Sequence, residues 1–98
     1  MTTAYQAAAA KFGTVNFNNS EYALTNDADY TSRLLPAGYT NFVDASEGDD
    51  FDFEVAAKAV DADGNEYIVS WIFTGRKGED DPELDSYDYS APTNVTAV

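Results

Sequence analysis

The sequence contains no histidine and no cysteine, and only five of its 98 residues are basic. Histidine is the usual general base near neutral pH, and cysteine supplies thiolate nucleophiles, many zinc ligands and disulfides. Their absence leaves carboxylate chemistry, which can suffice for glycoside hydrolysis. A chain of this length leaves little room for a sugar cleft beside its core. We therefore expect a protein that is not an enzyme and that needs no cofactor or metal.

Long apolar runs are also missing. No stretch of about 18 apolar residues could span a membrane, and the N-terminus lacks the basic and apolar segments of a signal peptide. The sequence therefore predicts a cytoplasmic protein that does not bind membranes. Hydrophobic residues nevertheless make up 44% of the chain and aromatic residues 14%, which favours one folded domain over residues 1–98.

Charge is abundant but unevenly placed. Residues 1–43 carry three acidic against two basic residues, whereas residues 44–98 carry fifteen against three. The net charge of −13 thus divides into −1 and −12. Such asymmetry indicates a directed interaction with a positively charged partner.

Two helices are predicted in the first half. Thr3 and Gln6 form a capping box, and Gly13 can end a helix whose apolar face is formed by Tyr5, Ala8, Ala9 and Phe12. A second helix is predicted over about Asp27–Leu35, with Asn26 as its N-cap. Its Asp29 and Arg33, four residues apart, would form an ion pair.

The clearest predicted element is a β-hairpin. The apolar residues Phe51, Phe53, Val55, Ala57 and Ala59 alternate with Asp52, Glu54, Ala56, Lys58 and Val60, and a second run places Tyr67, Val69, Trp71 and Phe73 on one face. Residues 14–19 predict a short strand, and Asn94–Val98 could add an edge strand. The expected fold is α+β and two-layered: an antiparallel sheet built on this hairpin, with both short helices packed on its apolar face.

The hairpin loop permits two interpretations. Asp61, Asp63 and Asn65 occupy alternate positions, as in an EF-hand calcium loop. The sixth position is Glu66 instead of glycine, and the twelfth is Ile72 instead of glutamate. Because Asp, Asn and Gly are common in turns, an ordinary hairpin turn explains this segment better.

Two acidic clusters, within residues 44–54 and 79–88, flank the hairpin. In a strand, Asp50, Asp52 and Glu54 would project from one face about 6.5 to 7 Å apart. Phosphates advance only about 3.4 Å per step along the DNA axis, but because they also wind around it their true separation is larger, so the two rows of charge are similar in pitch. A basic groove that binds phosphates could accept such carboxylates through similar hydrogen bonds. The residues predicted to contact a basic DNA-binding protein are Glu47, Asp49, Asp50, Asp52, Glu54, Asp63, Glu66, Glu79, Asp80 and Asp81.

Three other interpretations remain open at this stage. The acidic residues could serve only solubility and prevent strand association. The chain could be a small structural or assembly protein of a phage that uses its C-terminal edge strand, or it could inhibit some other DNA-binding protein. Direct binding to nucleic acid is opposed by the charge, and we expect a monomer.

Three segments carry a resemblance to a known class of proteins: MTTAYQAAAAKFGTVNF at Met1–Phe17, AKAVDADGNEYIVSWIF at Ala57–Phe73, and the acidic ELDSYDYSAPTNVTAV at Glu83–Val98. They resemble small phage and mobile-element proteins, and more narrowly anti-CRISPR proteins of the DNA-mimic kind. The resemblance implies an inhibitor that blocks target-DNA binding by the type I-F CRISPR surveillance complex in the bacterial host. It implies no particular site residues.

Overall fold

The computed structural model describes residues 3–31, 33–78 and 87–98. Its elements are helix α1 (Ala4–Phe12), strands β1 (Thr14–Phe17), β2 (Ser20–Leu24) and β3 (Asp29–Tyr30), a short 3-10 helix (Phe42–Asp44), and strands β4 (Asp50–Val60), β5 (Glu66–Arg76) and β6 (Asn94–Ala97). The pairing is antiparallel throughout, in the order β1-β2-β4-β5-β6, and β3 pairs separately with β4.

The predicted hairpin is confirmed and dominates the sheet. β4 and β5 pair without interruption over eleven residues each, from Asp50 opposite Arg76 to Val60 opposite Glu66. Val55 lies opposite Trp71 and Ala57 opposite Val69, so these side chains share one face. Val55, Val69 and Trp71 are almost fully buried and form the centre of the core.

Helix α1 is confirmed, together with its capping box and the termination at Gly13. Its position differs from the prediction. Ala8 packs with Ala23 and Val60, which alternate with core residues along their strands and therefore face the opposite side of the sheet. A small alanine face allows the helix to approach the sheet closely at this point.

The predicted second helix is wrong. Residues 26–31 and 33–36 are not helical, and Asp29–Tyr30 form strand β3. Asn26 does not cap a helix, because its side-chain oxygen accepts a hydrogen bond from the Lys58 N–H (2.8 Å). The unpaired edge of β4 offers backbone groups that this segment satisfies, and tertiary contacts of this kind override a weak local helical preference.

The aromatic face of the hairpin is therefore covered by irregular chain instead of by helices. Tyr87 stacks on Phe73 with ring centroids 4.6 Å apart, and Tyr89 meets Trp71 edge-on at 5.0 Å. The Trp71 indole N–H donates to the Tyr89 carbonyl (3.0 Å), which satisfies its polar atom within the core. An α+β class is retained, but with one α-helix in the described residues.

The outer edge of β4 is filled by short pieces of chain. The Asp52 N–H donates to the Thr40 carbonyl (2.7 Å), the Thr31 N–H donates to the Glu54 carbonyl (3.1 Å), and the Thr25 N–H donates to the Lys58 carbonyl (2.8 Å). The C-terminal strand β6, predicted from its sequence, covers part of the edge of β5.

Candidate functional site

The carboxylates of Asp50, Asp52 and Glu54 lie on one face of β4, opposite Arg76, Thr74 and Ile72 respectively. Asp50 forms an ion pair with Arg76 at 3.3 Å. Asp52 accepts hydrogen bonds from the Thr74 hydroxyl (2.8 Å) and the Thr40 N–H (3.0 Å). Two of the predicted contact residues are thus already engaged in holding the hairpin and a neighbouring loop.

Glu54 departs furthest from the prediction of an exposed row. Its side chain is only 6% exposed, and both carboxylate oxygens accept hydrogen bonds from Arg33, at 2.6 and 2.5 Å. These bonds lower the pKa of Glu54 below its ordinary value, and burial opposes the effect only in part. Arg33 therefore pairs with Glu54 and not, as predicted, with Asp29, so Glu54 does not present a free carboxylate to a partner.

The free carboxylates at this end of the hairpin lie in the preceding loop. The Gly48 N–H donates to the Lys77 carbonyl (2.8 Å), and the Lys77 N–H donates to the Asp49 carbonyl (2.9 Å), so the loop extends the hairpin ladder. We call Asp44, Glu47 and Asp49 the acidic end. None of them forms a salt bridge with another described residue.

The nearest lysine does not neutralise the acidic end. The Lys77 ammonium donates to the backbone carbonyls of Phe42 (3.0 Å) and Ala45 (2.9 Å), and it lies 4.4 Å from the centre of the Phe42 ring. Lys77 is thus directed onto the loop backbone and an aromatic face. The carboxylates beside it remain available to an external cation.

The other predicted contact residues do not join this group. Asp63 and Glu66 lie at the turn, and Glu66 is ten residues from Arg76 along β5, a distance of about 33 Å at the usual rise of a strand. Glu79, Asp80 and Asp81 lie outside the described residues. The structure therefore separates Glu47 and Asp49 from Asp63 and Glu66, which occupy opposite ends of the hairpin.

The interpretation of residues 61–66 as a turn is confirmed. The Asp61 carboxylate accepts hydrogen bonds from the N–H groups of Asp63 and Asn65 (both 2.9 Å) and from the Tyr67 hydroxyl (2.9 Å). Burial raises the pKa of Asp61, but the hydrogen bonds, first among them that of the Asn65 side chain, outweigh it and lower the pKa. Within residues 3–31, 33–78 and 87–98, no cluster of three or more potential metal ligands occurs.

An apolar cleft next to the acidic end was not predicted. It has a volume of about 230 Å³ and is lined by Tyr30, Phe42, Phe51, Phe53, Gly75, Arg76 and Tyr87. Gly75 lies opposite Phe51 in the hairpin, and a Cβ atom there would come within 3.3 Å of the Phe51 ring. A glycine inside a strand pattern is the one sequence signal for such a close approach, whereas Tyr30 and Phe42 reach the cleft from distant segments.

Comparisons of the chain with protein-family models, with the curated proteins and with the solved structures found no match. Helix α1 has nine residues and is too short to cross a membrane. No other helix in the described part of the chain is long and apolar enough to do so.

Proposed function

We propose that the chain is a non-catalytic inhibitor that occupies the DNA-binding site of a basic protein, with carboxylates standing in for phosphates. The observation that carries this proposal is the acidic end: Asp44, Glu47 and Asp49 have no salt-bridge partner among the described residues, while the ammonium of Lys77 beside them is bound to the loop carbonyls of Phe42 and Ala45. Arginine and lysine side chains that bind phosphate can bind a carboxylate in the same way, because their N–H groups donate charge-assisted hydrogen bonds to either anion.

The type I-F CRISPR surveillance complex is the proposed target, because the sequence resembles anti-CRISPR proteins of the DNA-mimic kind. In this proposal the chain binds where the complex first contacts double-stranded target DNA. Binding then excludes the DNA by occupancy alone, and no bond is made or broken. A different basic DNA-binding protein would be inhibited by the same chemistry.

The direct test is competition. A fluorescently labelled DNA duplex bound to the purified type I-F complex is titrated with the chain, and its displacement is followed by fluorescence polarisation. Competition should weaken as salt rises, because exposed charges are screened beyond about 10 Å at 0.1 M salt.

The two ends of the hairpin supply a matched pair of variants. Glu47→Lys with Asp49→Lys, and Asp63→Lys with Glu66→Lys, each change the net charge by the same amount, from −13 to −9. We expect the first pair to weaken competition by about tenfold or more, since charged interface contacts contribute at least that much, and the second to have a much smaller effect. Equal losses would indicate only bulk charge, and no loss from either pair would contradict the proposal.

Strand β6 supports a second candidate, assembly by strand addition. β6 is the last strand of the sheet order. The Val98 N–H donates to the Glu66 carbonyl (3.1 Å). Because successive N–H groups along a strand point to opposite sides, the N–H of Ala97 faces away from β5. In this candidate the chain is itself a small structural protein of a phage, and a neighbouring subunit adds a strand at this edge. Self-association that persists at high salt and is abolished by Ala97→Pro would favour this candidate over the inhibitor.

A further inference from the structure

The apolar cleft and the acidic end occupy the same end of the hairpin. Phe42 forms one wall of the cleft and belongs to the same 3-10 helix as Asp44. Phe51 forms another and follows Asp49 and Asp50 directly. The outer walls are open to solvent, since Phe42 is 51% exposed and Tyr30 is 49% exposed.

The cleft is large enough for a side chain. An apolar cavity of about 150 Å³ accommodates benzene, and this cleft measures about 230 Å³. Its lining already arranges aromatic rings edge to face, with Phe42 and Phe51 centroids 4.9 Å apart at 82°. A further ring can join such an arrangement at favourable angles. Among the described residues that line the cleft, Arg76 is the only charged one, and it is paired with Asp50.

Exposed apolar residues are concentrated around this end. Of the seven large apolar residues that are exposed within the described part of the chain, five lie between residues 30 and 43: Tyr30, Leu34, Tyr39, Phe42 and Val43. An apolar centre with a polar rim is the usual anatomy of a protein interface, and aromatic residues such as tyrosine are enriched among the few that contribute most of its binding energy. Solubility alone does not explain this combination.

The charge at the rim identifies the occupant. A second copy would bring its own net charge of −13 and its own acidic end against this one, and like charges would repel. A segment rich in lysine and arginine would instead be attracted to Asp44, Glu47 and Asp49. We propose that the cleft receives an aromatic side chain from a basic segment of the partner protein, an inference that rests on the proposed function and specifies how the partner is held.

Synthetic peptides test this without knowledge of the partner. Acetylated, amidated Lys-Lys-Phe-Lys-Lys and Lys-Lys-Ala-Lys-Lys are titrated into the ¹⁵N-labelled chain, and amide shifts are followed by NMR with Gly75 as the reporter in the cleft. The phenylalanine peptide should bind about tenfold more tightly, as expected for burial of one aromatic side chain.

Variants distinguish the contribution of the cleft to peptide binding from that of the acidic end. Phe42→Ala and Tyr30→Ala each remove a wall and should reduce the preference for phenylalanine over alanine to about twofold or less, whereas Val43→Ala, an exposed neighbour outside the cleft, should leave it unchanged. Glu47→Gln with Asp49→Gln should weaken both peptides and flatten their salt dependence, with the preference retained.

The outcomes distinguish the two proposals. Equal, salt-dependent binding of both peptides would overturn the cleft inference and leave the proposed function standing. Binding that prefers phenylalanine but does not respond to salt would instead contradict the acidic end as the attractor. A dimer whose formation is abolished by Phe42→Ala would assign the cleft to a second copy and overturn the inference.

Discussion

Removal of the Arg33 guanidinium should destabilise the fold more than neutralisation of its partner does. Arg33→Ala leaves the Glu54 carboxylate, whose side chain is 6% exposed, without the two hydrogen bonds that compensate its burial. An unsatisfied buried group costs about 1 to 3 kcal/mol, and more when it is charged. The Arg33 side chain is 53% exposed, so water can reach the site. We therefore expect Arg33→Ala to lower the free energy of unfolding by about 2 kcal/mol, which is less than the loss for a fully buried pair.

Glu54→Gln should lower the free energy of unfolding by less than Arg33→Ala does, by about 1 kcal/mol, because a neutral amide is easier to bury than an unpaired carboxylate. The free energy of unfolding is measured in urea from the fluorescence of Trp71, the only tryptophan, which is 1% exposed. Arg33→Met is the control, because it keeps much of the aliphatic stem while it removes the guanidinium with its charge and its two hydrogen bonds. It should behave like Arg33→Ala.

The effect should depend on pH in a defined direction. The pKa of Glu54 is lowered in the folded chain, so its contribution is fully present above the unfolded pKa of about 4.3 and is lost as the pH falls through the folded value. The difference between the wild type and Arg33→Ala should therefore shrink below about pH 4. A difference that stays constant from about pH 7 to pH 3, or a Glu54→Gln cost equal to that of Arg33→Ala, would refute the reasoning.

Two further predictions concern the core and the turn. Val55→Ala, at a fully buried position opposite Trp71, should lower the free energy of unfolding by about 2 kcal/mol in the same urea assay, and a loss below about 0.5 kcal/mol would contradict the central role of this pair. The hydrogen bond from the Tyr67 hydroxyl to Asp61 raises the pKa of Tyr67, and burial adds to this effect. In Asp61→Asn, NMR of ¹³Cζ-labelled tyrosine should show the Tyr67 pKa moving down towards about 10, while that of Tyr5, raised by Glu21, stays unchanged.

The elements predicted correctly are those specified by local chemistry. The period of two in residues 51–60 and 67–74 predicts the hairpin, and the Asp61 turn follows from its Asp, Asn and Gly residues. The capping box of Thr3 similarly marks α1. Strand β2 was missed although Asn18 and Asn19, both with positive φ, form the kind of two-residue turn that joins hairpin strands.

The site was predicted less completely because its geometry depends on distant residues. Alternation correctly placed Asp50, Asp52 and Glu54 on one face, but it could not indicate that Arg33, twenty-one residues earlier, would cover Glu54. The cleft likewise requires Phe42 to meet Phe51 across a loop. Neither contact leaves a periodic signal in the sequence.

The filled edge of β4 has a consequence for motion. One long neighbouring strand would have to separate along its whole length, whereas here Thr25, Thr31 and Thr40 each close a different part of the edge. The loops that carry them can open one at a time while the eleven pairs between β4 and β5 persist. Amide exchange at Asp52 and Lys58 would then report separate local openings, and a partner could rearrange the loop beside the acidic end without unfolding the hairpin that presents it.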